Sequence, residues 1–294
     1  MSSHVKMDFK PFVTSSASGP RHDPHRAAKI ARHAVFRDNF AISSWLCLGA
    51  VMQVLAYLLL PPLYAMTPAV SLLSFRFLRT MLMHRGVIGN SQMDGVKMGK
   101  FSAQIPGKYS EPPSQTSEQD VTVIILAARS NHALGIFGPG YRDVSNYLNA
   151  MVAELWEDAD KYGFLGQTTW VAANERHTNN QVMVLCYFRS VEDLHAYAHG
   201  PLHRRAWTWW NSITKSHPHL SIMHEVYHAP KKQWENIFVN NHLTGIANMQ
   251  ARVDMEGQRV RPLVDASRGG FRSQLGRLGR GGGAENEVYG PEPY

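Results

Sequence analysis

A chain of 294 residues has room for one large domain or two small ones. Its two cysteines rule out a disulfide framework, since Cys47 sits in an apolar block and Cys186 in a predicted strand. The net charge of +7 is spread over the flanks of the apolar block and a Gly/Arg-rich tail. No recognition module accompanies it, so no nucleic-acid partner is expected.

Residues 1–40 read as a disordered basic N-terminus. From Phe40 to Phe75 there is no Asp, Glu, Lys or Arg, and arginines close both ends (Arg37 before, Arg76 and Arg79 after). A spanning helix needs about 20 apolar residues, and 41–60 meets that length. Pro61-Pro62 then breaks or kinks the helix, and 63–75, which contains Pro68, is too short for a second full span. Residues 41–85 are therefore a membrane segment, either a single span or a hairpin. Arginines on both flanks favour the hairpin, because both would then face the cytosol. A signal peptide fits poorly, since the apolar core starts late and is too long. The expected location is a membrane, that of the endoplasmic reticulum, with the soluble part in the cytosol. The absence of an N-x-Ser/Thr acceptor agrees with that.

Residues 86–118 lack apolar periodicity and read as a linker. The globular domain is expected at 119–245. Val121–Ala128 is a short run rich in β-branched residues, a strand apolar on both faces. Tyr141–Tyr162 has helical spacing, with Val144, Tyr147, Leu148, Met151, Leu155 and Ala159 on one stripe and Gly163 as the stop. The glycine-rich Gly135–Gly140 ahead of it has the wrong spacing for a dinucleotide loop and reads as a turn at a pocket mouth. Residues 164–173 and 181–189 form a hairpin around Asn174–Asn180. A helix capped by Ser190 follows, is interrupted at Gly200-Pro201, and resumes to Ser216. His219–His228 is the last strand. Residues 246–294 read as a flexible tail.

The order βαββαβ predicts an α+β, ferredoxin-like fold with helices on one face of an antiparallel sheet. The two-sided apolar strands ask for a second cover, most simply another subunit, which predicts a homodimer through the sheet face.

Several residues are candidates for chemistry. His224-Glu225-Val226-Tyr227-His228 matches the zinc-peptidase pattern H-E-x-x-H, but that chemistry needs a helix. On the predicted strand the imidazoles lie about 13 Å apart, too far for one zinc, so no metal is expected. His195, His199 and His203 recur every four residues, although Gly200-Pro201 disturbs the face they would share. His199 and His203 are the candidate bases. Arg189 and Tyr227 are candidate oxyanion donors. Trp207, Trp210 and His224 are candidate substrate-binding residues, against the plainer reading of the tryptophans as helix–sheet packing.

Phe188–Asn211 (FRSVEDLHAYAHGPLHRRAWTWWN) and Ile222–Asn241 (IMHEVYHAPKKQWENIFVNN) resemble the dimeric α/β barrels of the antibiotic-biosynthesis monooxygenase type, in particular the fungal monooxygenase-like proteins of secondary metabolism. The anchor ahead of the barrel is similar to that of the membrane-tethered fungal monooxygenases of fumagillin-like (meroterpenoid) biosynthesis. The resemblance implies a monooxygenase acting on a lipophilic terpenoid or polyketide-terpenoid intermediate. It implies molecular oxygen as co-substrate and neither metal nor flavin, the substrate carbanion itself meeting oxygen. Two rivals share the same pocket: a non-catalytic ligand-binding dimer, and a haem enzyme with a clustered histidine as axial ligand.

Overall fold

The computed structural model describes residues 33–107, 116–172, 180–252, 259–260 and 262–280. The apolar helix α1 (Ile42–Leu59) has no buried residue. It turns at Pro61 into α2 (Pro62–His84), which runs through Pro68 without ending. Sequence reasoning stopped the second apolar stretch at Phe75. The helix instead continues over Arg76 and Arg79, good helix formers on an exposed surface. Pro68 leaves the carbonyl four residues before it without a helical donor. One residue on, the Ala65 carbonyl accepts from Gln53 Nε2 at 3.1 Å, which ties α2 to α1.

The main sheet holds β2 (Val121–Ser130), β3 (Phe164–Val171), β4 (Val182–Phe188) and β5 (Leu220–Ala229), antiparallel, in the order β3-β4-β2-β5. Helix α3 (Tyr141–Glu157) connects β2 to β3. Helices α4 (Val191–Ala198) and α5 (Pro201–Ile213), separated at Gly200, connect β4 to β5. This is the predicted βαββαβ order. The helix layer packs through Leu148, Met151 and Leu155 of α3 and Leu194 and Tyr197 of α4 onto Val184, Cys186 and Phe188 of β4. The Asn174–Asn180 turn falls outside the described residues except for Asn180. Gly163 follows the end of α3 at φ +55°, and a Cβ there would collide with the Asp193 carboxylate, so only glycine fits.

Three expectations about the flanks are corrected. Within 86–118, β1 (Lys97–Ala103) is a strand, and Phe101, Ser102, Ala103, Gln104 and Ile105 are buried. β1 pairs with β6 (Phe238–Asn241) on one side and β9 (Leu263–Asp265) on the other. In order between β6 and β9 come the two-residue strands β7 (Ala251–Arg252) and β8 (Arg259–Val260), which pair with each other. The tail is thus structured at 262–280. Phe271 is buried, and the last helical turn, α6 (Gln274–Arg277), buries the Arg277 guanidinium against Glu235 at 2.6 Å. Ser117 Oγ lies within hydrogen-bond reach of the Trp234 and Arg277 carbonyls, locking the end of the supposed linker to the tail. At the N-terminus, residues 33–38 are helical and Val35 is buried.

The physical reason is a second core. Phe101, Ile105, Trp234, Ile246, Met249 and Leu263 pack together against Val121 and Leu165 of the main sheet. The face opposite the helices is therefore covered at one end by the chain's own segments, where a second subunit was the expected cover.

Candidate active site

Beneath α3 the helix layer stands off the sheet and leaves a cavity of about 460 Å³. Its apolar walls come from Val144, Leu148 and Val152 of α3 and from Ala128, Val182 and Val184 of the sheet. Its polar lining is Tyr141, Arg142, Ser145, Asn146, Asn149, Gln167 and Thr169. Ile136, from the glycine-rich turn, and Val35 and Phe36 also line it. The glycine-rich turn thus contributes Ile136 to the cavity wall.

Gln167 is buried in β3. Its side-chain oxygen accepts from Thr169 Oγ1 at 3.1 Å, which leaves the amide NH₂ as the end available to a ligand. Asn149, one helical turn beyond Ser145, makes only a long contact to that residue's hydroxyl at 3.4 Å, so its amide is lightly committed. Tyr141 donates to the Asn180 carbonyl at 3.1 Å, and burial pushes its phenol up to about 12, so it stays protonated at neutral pH. Among the described residues the lining contains neither carboxylate nor imidazole. Such a site can hold an apolar body and donate hydrogen bonds to a developing oxyanion. Asn149 and Gln167 escaped the sequence reading because a polar residue on an apolar stripe looks like an exposed one until the tertiary fold is known. The one available signal was that Gln167 and Thr169 alternate along a predicted strand and so share one face.

The predicted site residues lie elsewhere. His199 caps α4, is exposed, and has Nδ1 at 2.8 Å from the His195 carbonyl. His203, half-buried on α5, is held below the ordinary histidine range, chiefly by burial and further by His224 and His199. These three imidazoles are therefore electrostatic neighbours, the one part of the predicted set that the fold brings together. Trp207 is 54% exposed, and Trp210 is half-buried on the same helix. Tyr227 projects from the opposite face of β5 to His224 and donates to Glu225 at 2.6 Å, a bond that raises its phenol. Arg189 Nε is buried with no hydrogen-bond partner, while its backbone N–H donates to Gly163. None of these residues lines the α3 cavity. His224–His228 runs in β5, as expected, and not in the helix that a zinc-peptidase site requires. Among the described residues no three His, Cys, Asp or Glu side chains converge as a metal site would need.

Comparison with known proteins gives the family. Residues 121–246 match the family model described as Monooxygenase af470-like. Monooxygenase af470 of Aspergillus fumigatus is 33% identical over 267 residues, covering 89% of this chain and 96% of that protein. The chain belongs to the Monooxygenase af470-like family. It is accordingly an oxidoreductase of the monooxygenase type. Among solved structures, the aldoxime dehydratase OxdRE in complex with butyraldoxime matches at 14% identity and TM-score 0.36, covering 48% of this chain and 41% of the dehydratase. The chain thus spans less than half of that enzyme. SnoaB, a cofactor-independent oxygenase from Streptomyces nogalater, matches at 10% identity and TM-score 0.26, covering 38% of this chain and 95% of SnoaB.

Proposed function

We propose that this family member is a membrane-tethered monooxygenase that oxidises a lipophilic secondary-metabolite intermediate, terpenoid or polyketide-terpenoid, in the α3 cavity. The observation that carries the reading is the lining of that cavity. Apolar walls set a water-poor medium, and the Gln167 and Asn149 amides are placed to donate to an oxyanion. Its amide and hydroxyl groups are hydrogen-bonding groups rather than metal ligands, which supports oxygen chemistry driven by the substrate. In that chemistry the substrate loses a proton to become an enolate or phenolate, held at its oxygen by the amides. Its carbon then takes one oxygen atom, and the other leaves as water. The balance is SH₂ + O₂ → S=O + H₂O, so the substrate supplies all the electrons and molecular oxygen is the only co-substrate.

Among the described residues no base for the first step lies in the cavity lining. His203 is kept neutral by its half-buried setting, which suits a proton acceptor, with His199 and His224 beside it. The tether reading rests on α1, an 18-residue helix of mean hydropathy 1.8 with none of its window buried, and on α2 folded back against it, which supports the hairpin. Anchoring would concentrate the enzyme beside a substrate that partitions into lipid. The part of the sheet's far face left open by the C-terminal segments, with Trp170 and Met223 exposed, supports a homodimer.

The test is turnover of lipophilic pathway intermediates under isotopically labelled dioxygen by the full chain in vesicles. One labelled atom in product and one in water is expected. Tight binding of an intermediate without label in product would convert the reading to a ligand-binding module, and a Soret band in the purified protein would convert it to a haem enzyme.

A further inference from the structure

The cavity and the apolar helix α1 share a boundary. Phe36 lines the cavity, and its ring centroid lies 6.0 Å from Phe40, 5.9 Å from Trp45 and 6.1 Å from Phe137. Phe40 in turn meets Trp45 at 5.5 Å and Phe137 at 6.2 Å. All four rings are exposed, and Leu134 extends the patch. Large apolar side chains in one contiguous exposed group call for a partner. Here the partner's chemistry is set by what the patch continues into. Trp45 is already in α1, whose apolar face carries on without a buried residue.

The patch is also fixed in place. Asn39 Oδ1 accepts from the Ile136 N–H at 3.1 Å and from Asn180 Nδ2 at 3.4 Å, which clamps the segment before α1 onto the soluble domain. Trp45 Nε1 donates to the Arg37 carbonyl at 2.9 Å, so the first turn of α1 is held to the same segment. Arg37 and Asp38 form an exposed ion pair at the patch edge. A tryptophan such as Trp45, apolar in body and polar at its N–H, with a charged pair just outside it is what a lipid–water interface collects at the end of a span.

We propose that Phe36, Phe40, Trp45 and Phe137 form a collar seated in the lipid–water interface, and that the α3 cavity opens through it toward the bilayer. An apolar substrate then passes from membrane to cavity without crossing water, with Phe36 as the shared wall. This deepens the tether reading and rests on it.

The test uses the full chain carrying Cys47→Ser, reconstituted in phosphatidylcholine–phosphatidylserine vesicles; the remaining Cys186 is wholly buried. Nitroxide labels at Phe137→Cys, Leu55→Cys and Trp207→Cys report depth by their relative accessibility to oxygen and to a water-soluble nickel chelate. Leu55→Cys is expected in hydrocarbon, Phe137→Cys at the headgroup boundary and Trp207→Cys in water. A label at 137 as wet as that at 207, with 55 still deep, overturns the collar and leaves the tether standing. A wet label at 55 overturns the tether itself and the collar with it. In a second arm, Val152→Cys on the cavity wall is treated with N-cyclohexylmaleimide, which partitions into lipid, and with a sulfonated maleimide, which does not. After correction for their rates with free cysteine, at least tenfold faster labelling by the lipid-soluble reagent is expected. Equal rates would show a cavity that opens to water and overturn the route.

Discussion

Two parts of one sheet face end up with opposite character. Under α3 the sheet is roofed, and the space between is lined by amides, hydroxyls and branched aliphatics. Beside α5 the sheet is bare: Ile222 and Val226 of β5 are each more than 40% exposed, Trp207 stands in solvent, and His199, His203 and His224 gather where helix and strand meet. The first region can bind and shield an apolar molecule. The second can exchange protons with water. Histidines and tryptophans drew attention to the second from sequence, since they are the residue types that advertise chemistry. The first is built from residues that advertise nothing, which teaches that a cavity is a property of helix stand-off and not of residue type.

That contrast breaks most clearly on activity. Gln167→Leu, which removes a donor while keeping volume, is expected to lower kcat by about 10²–10³-fold. His203→Gln, which removes the proposed base, is expected to lower kcat by about 10²-fold, no more than the loss at Gln167, and to move the pH profile. The opposite ranking, measured on the same labelled-oxygen assay, would shift the reaction to the histidine side.

Stability gives the next largest separation. Leu155, buried on the inner face of α3, should cost about 3 kcal/mol on truncation to alanine, whereas Trp207→Ala should stay within about 0.5 kcal/mol. Urea denaturation of the two variants reads the difference. A comparable loss at Trp207 would mean that α5 is covered in solution.

The smallest effect is in pH. His203 has its folded pKa below the ordinary histidine value, so the unfolded chain binds the proton more readily. Stability from this group is full above the ordinary value and is lost as pH falls from there toward the depressed one. His203→Gln should flatten the urea midpoint across that interval, and an unchanged slope would show that the burial is not maintained in solution.

Much of the central fold was legible. The α3 stripe was visible because its period matches 3.6, and Val144, Leu155 and Ala159 are indeed buried. The strand assignment of His224–His228 followed from its flanking prolines. β1 was illegible for a physical reason: KMGKFSA has little periodicity, and its partners β6 and β9 lie far along the chain. The same distance hid the tail, whose Arg277 looks like any tail arginine until Glu235 is placed beside it. Asn39 and Phe36 were assigned to a disordered arm because a few residues ahead of an apolar block carry no pattern of their own.

The three-stranded β6-β1-β9 sheet has a bearing on how the chain is made. Phe101 finds its partner Asp265 only about 160 residues later. At ribosomal speeds of roughly 5–20 residues per second, β1 waits on the order of ten to thirty seconds with that edge unpaired. During that time α1 and α2 have already emerged. A nascent chain in this state has its first strand waiting for its last, and a stop codon anywhere before residue 262 leaves it waiting permanently.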